Sequence, residues 1–326
     1  MGGGILGFDA IMKLQSWITI ATTVLTVGYV VLTLKDIKMS TVMSVPSGST
    51  QAFIGALIFG LVGFGLGWLN SGADYSRYLP RSTSSRAVVG WTMFGASIAP
   101  ILLVVFGALL AASDKDLSSK IAADPIGALT TLLPTWYLIP FAIVAILGLV
   151  GGSVLALYSS GLALISIGVK IPRAMAAGID GMVMIIGTIY VVWIASDFFG
   201  PFQGFLITLG VPLAAWGGIF IADVVLRKSE YRDEDLYRDN GIYGSINFKS
   251  LLLLAAGSIV GWGLVTNTFA SWLSWQGFLL KPLGFGGKEG AWAYANLGVL
   301  AALAIGFVGY YLSAKSDVAR QEQLSD

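Results

Sequence analysis

The sequence predicts an all-α, polytopic membrane protein. Three observations carry that prediction. Of 326 residues, 56% are hydrophobic and only 11% are charged, against about 25% charged in soluble domains; the mean hydropathy is +0.81. The apolar residues fall into long continuous runs, whereas barrel strands would alternate. Finally, 42 glycines, 10 tryptophans and 12 tyrosines suit packed spans with aromatic belts at the interfaces.

A bilayer core of roughly 30 Å takes about 20 apolar residues of helix. Eight runs meet that length: Trp17–Leu34, Gln51–Ala73, Val88–Ala112, Tyr137–Ile167, Ala174–Ser196, Phe202–Leu226, Ser250–Leu273 and Ala291–Ser313. The opening MGGGILGFDA reads as the last turns of an earlier span, because no basic stretch precedes it as a signal peptide would require. The fourth run exceeds what a bilayer needs, so it tilts, starts outside or contains a break. Asp124–Leu133 predicts a short helix outside the bilayer, with Asp124 as N-cap and Pro125 in the first turn. The charged run Ser229–Asn240 reads as a solvated loop. Gly257 and Gly261 form a GxxxG pair suited to close helix contact.

Lys and Arg set the orientation. Alternate connections collect thirteen on one side and six on the other. The richer side is expected to be cytoplasmic, which places both ends of this chain inside a multi-pass cell-membrane protein (the inner membrane in a bacterium). With a net charge of +1, no nucleic-acid partner is expected. The expected partners are the lipid bilayer and a small uncharged solute.

The chain has no cysteine and no histidine. That removes thiolate and imidazole chemistry; no metal site, catalytic residue or cofactor is expected, and the chain reads as a non-enzyme. Asp74, Asp180, Asp197 and Asp223 are all placed at or near span ends. The spans then offer aromatic, hydroxyl and amide groups, which suit a flat, neutral solute held by stacking and hydrogen bonds.

Two glycine-rich stretches stand out. GFGLGW puts Gly63, Gly65 and Gly67 inside the second span, where each costs a helix about 1 kcal/mol relative to Ala. Such a weak point suits a discontinuous helix whose opened main chain faces a substrate near the midplane. Phe64 and Trp68, four residues apart, would share a face and form an aromatic wall. The same glycines equally suit the close approach of a neighbouring helix. In the fourth span, Gly151 and Gly152 weaken the helix beside Ser153, Tyr158, Ser159 and Ser160. Those hydroxyls could hold a cation or simply bond back to the helix. At the end of the second span, Asp74 and Arg77 are spaced to pair, as an interface anchor or inner gate. Asp223 and Arg227 read the same way.

Taken together, GFDAIMKLQSW (7–17), GFGLGWLNSGADYSRYLP (63–80), LALYSSGLALISIGVKIPR (155–173) and ADVVLR (222–227) resemble the nucleobase–cation symporter family, in its purine/cytosine permease branch. The resemblance covers essentially the whole chain. It implies twelve helices, the first ten forming two inverted five-helix repeats with broken first and sixth helices. On that scheme this chain is one transporter domain, residues 1–326, carrying helices five to twelve and lacking the first four. GFGLGW then lies on broken helix six, and the YSS span on helix eight, which contributes to substrate and cation sites. The resemblance also marks Ala156, where relatives often carry Asn, and its replacement implies an altered substrate.

The implied activity is secondary active transport of a nucleobase or related heterocycle (cytosine, a purine, uracil or allantoin), coupled to H⁺ or Na⁺ by alternating access. Gly63, Phe64, Gly65, Gly67, Trp68 and Ala156 are the expected substrate contacts. Gly152 and Ser153 are the expected cation contacts, and Asp74 with Arg77 the gate pair. A carrier of the same fold for another solute, such as an amino acid, and a non-transporting membrane fragment remain as alternatives.

Overall fold

The computed structural model describes residues 8–69, 71–80, 82–168, 170–236, 238, 241–268 and 270–324. Among these every regular element is helical, as an apolar chain in lipid requires when each backbone group must be satisfied within its own segment. The chain divides into two compact units.

The first unit comprises residues 1–46 and 71–199. Its main elements are α1 (Phe8–Thr33), α2 (Met39–Ser44), α4 (Gly72–Ser76), α5 (Ser85–Ser113), α6 (Lys115–Ala123), α7 (Pro125–Thr130), α8 (Leu138–Ser166) and α9 (Arg173–Ile189). Phe8–Ala10 already belong to α1 and not to an earlier span; residues 1–7 of that expectation lie outside the described residues. α7 begins as expected. Asp124 accepts a bond from the Gly127 amide at 2.9 Å, and Pro125 occupies the first turn. α8 packs against α1 on one side and α9 on another. Tyr137 donates its hydroxyl proton to the Leu25 carbonyl at 2.5 Å, and a side chain at Gly28 would collide with that phenol. Buried Tyr29, Leu110, Leu117 and Phe141 close the core around it.

The second unit comprises residues 47–70 and 200–326. It contains α3 (Thr50–Gly60) with its continuation to Trp68, α10 (Phe199–Leu226), α11 (Asp233–Leu236), α12 (Phe248–Gly263), α13 (Leu297–Ser313) and α14 (Lys315–Gln323). α12 and α13 are the most closely packed pair. Gly261 and Gly298 meet there: a Cβ on Gly298 would lie 1.9 Å from the Gly261 carbonyl oxygen. The GxxxG pair thus serves close helix contact. Pro212 lies inside α10 and has no N–H for the carbonyl of Thr208, four residues earlier. Trp262 supplies the missing donor, its indole reaching the Thr208 carbonyl at 2.8 Å. Asn267 and Gln276, both buried, donate to the Thr208 hydroxyl at 2.9 and 3.2 Å.

The expectation of eight full spans is corrected at its end. Six helical segments are long and apolar enough to cross a bilayer, seven if α13 and α14 count as one bent span. The seventh predicted run, Ser250–Leu273, becomes a 16-residue helix followed by turns. The eighth, Ala291–Ser313, is helical only from Leu297. Gly277, Gly284, Gly286 and Gly287 adopt positive φ in the intervening stretch, a conformation a helix does not admit and glycine takes without steric cost. The fourth run is one unbroken helix of 29 residues, so Gly151 and Gly152 do not interrupt it.

Candidate functional site

The α-geometry of α3 ends at Gly60. Residues Leu61–Gly65 form a π turn, in which the Leu66 amide reaches the Leu61 carbonyl five residues back. Leu66–Trp68 then form a single 3-10 turn. Gly65 carries the distortion, at φ −110° and ψ −68°, well off the usual helical −63°, −42°. The discontinuity therefore falls on the GFGLG spelling, and π turns recur at functional sites.

Why are glycines placed here? A Cβ at Gly63, Gly65 or Gly67 would meet its nearest atoms at 3.8, 3.5 and 3.8 Å, ordinary van der Waals contact. Among the described residues no neighbour presses on these three glycines, so close approach does not explain them. The glycines that admit a neighbour stand opposite, on α10. A Cβ at Gly210 would lie 2.7 Å from Val62 Cγ1, and one at Gly217 would lie 2.4 Å from Leu69 Cδ2. The interrupted segment is thereby seated on α10 near both ends. Ile58, Val62 and Leu66 are buried among Ile207, Val211 and Ala214. The other side of the segment is open: Gly63, Gly65 and Gly67 are exposed, and Phe64 and Trp68 are 55% and 46% exposed.

The first unit gathers three of the sequence motifs at one place. Tyr75 donates to the Leu155 carbonyl at 2.9 Å, and the hydroxyls of Tyr78 and Tyr158 are 2.7 Å apart. Phe8 stacks on Tyr78 with ring centroids 3.9 Å apart. Ile11, Val154 and Tyr158 form the buried cluster beneath. The expected Asp74–Arg77 pair is not among the ion pairs of the described residues. Arg77 instead donates to the Tyr78 hydroxyl at 3.0 Å, and this bond raises its pKa further. Arg77 still has helical backbone, its amide bonded to the Ala73 carbonyl at 3.1 Å, but Tyr78 takes its guanidinium, which lies 5.0 Å from the centre of that ring.

On α8, Gly152 and Ala156 are four residues apart on one open face. Ser153 is turned elsewhere. With Leu157 it lines a cavity of about 490 Å³ completed by Gly181, Met184 and Thr188 of α9 and Trp193 beyond it. Ser153 and Ala156 belong to the first unit, and the GFGLGW segment to the second. Two features escaped the sequence reading. Gln15 of α1 donates to the Gly151 carbonyl at 2.8 Å, which gives that glycine a packing role. Asp180, expected near a span end, lies two turns inside α9, and its Oδ2 is buried with no hydrogen-bond partner. The run expected from Ala174 already put six residues before Asp180; the unpaired oxygen is what the structure adds.

The open discontinuity and the tyrosine cluster sit on the motifs that carried the resemblance. A family model described as a permease for cytosine/purines, uracil, thiamine and allantoin matches residues 3–281. The chain belongs to that family. It is also 25% identical over 264 residues to a Bacillus subtilis (strain 168) protein named "Putative purine-cytosine permease YxlA", a match that covers 78% of this chain. The chain spans about half of that relative's length, 53%. No solved structure matches the chain. Membership agrees with the membrane-length helices, which make this a multi-pass membrane protein. The matched region contains every candidate site residue and ends before α13.

Proposed function

We propose that this permease moves a nucleobase or closely related neutral heterocycle across the cell membrane by alternating access. It is a transporter and not an enzyme. The observation that carries the reading is the open π and 3-10 discontinuity at Leu61–Trp68, whose glycines have no close packing neighbour among the described residues. A broken membrane helix presents main-chain N–H and C=O groups where its own ladder fails, and such groups match the alternating donors and acceptors of a base edge. Phe64 and Trp68 supply flat apolar surface for the ring, an arrangement aromatic pairs favour by about 0.5–1.5 kcal/mol beyond area burial. Ala156 and Gly152 give an open, small-residue surface on α8, and Ser153 a hydroxyl for a cation or for substrate.

The test is uptake of radiolabelled cytosine, adenine, hypoxanthine, uracil and allantoin by cells without their own base permeases. The expected result is saturable uptake of at least one base, with competition by unlabelled base and none by amino acids. Trp68→Ala is expected to weaken apparent affinity about tenfold, the equivalent of 1.4 kcal/mol. Unchanged affinity in that variant removes Trp68 from the site, and competition by amino acids overturns the substrate class.

A further inference from the structure

Asp180 is seven residues beyond the start of α9, about 10 Å along the helix at 1.5 Å per residue. It lies within the apolar membrane-length stretch Ala174–Ile194. Ala176, Ala177 and Gly181 on the same face are buried, so the carboxylate is on the inward side, and α9 packs on α8. Its Oδ2 is shielded from solvent and accepts no hydrogen bond among the described residues.

Among the described residues no ion pair reaches Asp180. Residues 138–166 of α8 contain no Asp, Glu, Lys or Arg. Their single titratable side chain is Tyr158, whose hydroxyl is 2.7 Å from that of Tyr78. α1, packed on α8, carries exposed Asp9 and Lys13 in its first two turns. Along the chain itself, the nearest charged residues before Asp180 are Lys170 and Arg173, about two turns or more away. A carboxylate oxygen shielded from water and left unpaired is costly, and ionisable groups inside membrane helices are rare and commonly belong to substrate or ion paths. A proton needs only the one oxygen.

We propose that Asp180 is the proton carrier of this permease. An O–H bond forms at Oδ2 with a proton taken from water on one side of the membrane. The same bond breaks, releasing the proton, when the site opens to the other side. This rests on the transport reading above and selects H⁺ as the coupling ion.

Two measurements on membranes containing the full chain test it. The first needs no substrate. Dicyclohexylcarbodiimide adds to a protonated carboxyl group in apolar surroundings and leaves a stable N-acylurea, read by peptide mass spectrometry. The expected result is an adduct on Asp180 that declines as pH is raised and is absent in Asp180→Asn. No adduct at acid pH overturns the proposal. The second compares concentrative uptake of labelled base, driven by an imposed proton gradient, with exchange of labelled for unlabelled base. Asp180→Asn is expected to lose accumulation and keep exchange, while Asp180→Glu keeps both. Normal accumulation in Asp180→Asn, or loss of exchange in both variants, overturns it. An adduct on Asp180 in a chain that moves no base sinks the transport reading and leaves protonation at Asp180 standing.

Discussion

A single methyl group separates the two kinds of glycine in this chain. At Gly63, Gly65 and Gly67 it has room, at 3.5–3.8 Å from its nearest neighbours. Gly→Ala in a helix gains up to about 1 kcal/mol, so these substitutions are expected to keep or raise the melting temperature in detergent. They should nonetheless lower base uptake, because they favour regular helix where the discontinuity belongs. At Gly210 the methyl would lie 2.7 Å from Val62 Cγ1, and Gly210→Ala is expected to cost about 1–3 kcal/mol by overpacking. A lower melting temperature for Gly65→Ala than for Gly210→Ala would reverse the roles assigned to the two sites. The spelling GFGLGW signalled the weak point, since glycine is costly to any helix. Which helix gives way to admit the other depends on the packing partner, and nothing near residue 63 points to residue 210.

Elements hold at their ends by polar contacts outside the bilayer. α14 is docked this way within the second unit. Glu322 accepts the main-chain amides of Lys228 and Ser229, Gln321 accepts from Arg227 at 2.8 Å, and Lys249 pairs with Asp317 at 2.5 Å. Arg227 is itself held by Asp223 at 2.8 Å, the pair expected from their spacing. The Lys228 and Ser229 amides depress the Glu322 pKa below its ordinary 4.5. A depressed carboxylate stabilises its docked state above the ordinary value and loses that contribution as pH falls through the lowered one. A nitroxide on Gln323→Cys is therefore expected to stay immobile at neutral pH and loosen only below about pH 4.5. Glu322→Gln should loosen it at neutral pH, and unchanged mobility in both cases would remove Glu322 as the tether. The cap at Asp124 was legible as a helix start, because a short polar side chain before an apolar run has one local use. The shortness of α12 was not. Residues 264–273 and 291–296 are apolar enough to have been counted as span, and only the glycine-rich KPLGFGG run (281–287) between them marks a chain that turns.

At the scale of the whole molecule, helix length and charge asymmetry give different counts of crossings, and the polar contacts of α14 decide between them. α12 has 16 residues and α13 has 17, about 24–26 Å each, short of a roughly 30 Å core. Yet Glu322, in α14 just after α13, touches Lys228 and Ser229, just after α10. The chain between those points must leave one end of the second unit and return to it, so α12 and α13 both cross or neither does. An odd count, with α13 and α14 as the single extra span, would separate these residues by a membrane. The thirteen Lys and Arg on one side of the predicted topology include Arg227, Lys228 and Arg320, so a cytoplasmic position is the prediction for this shared end. Since the chain has no cysteine, single substitutions report without background. Glu230→Cys and Gln323→Cys are expected to resist an impermeant maleimide on intact cells and to react once the cells are opened, while Ser118→Cys reacts on intact cells. Labelling of Gln323→Cys but not Glu230→Cys from outside would establish the odd count and dismantle the docked end described for α14.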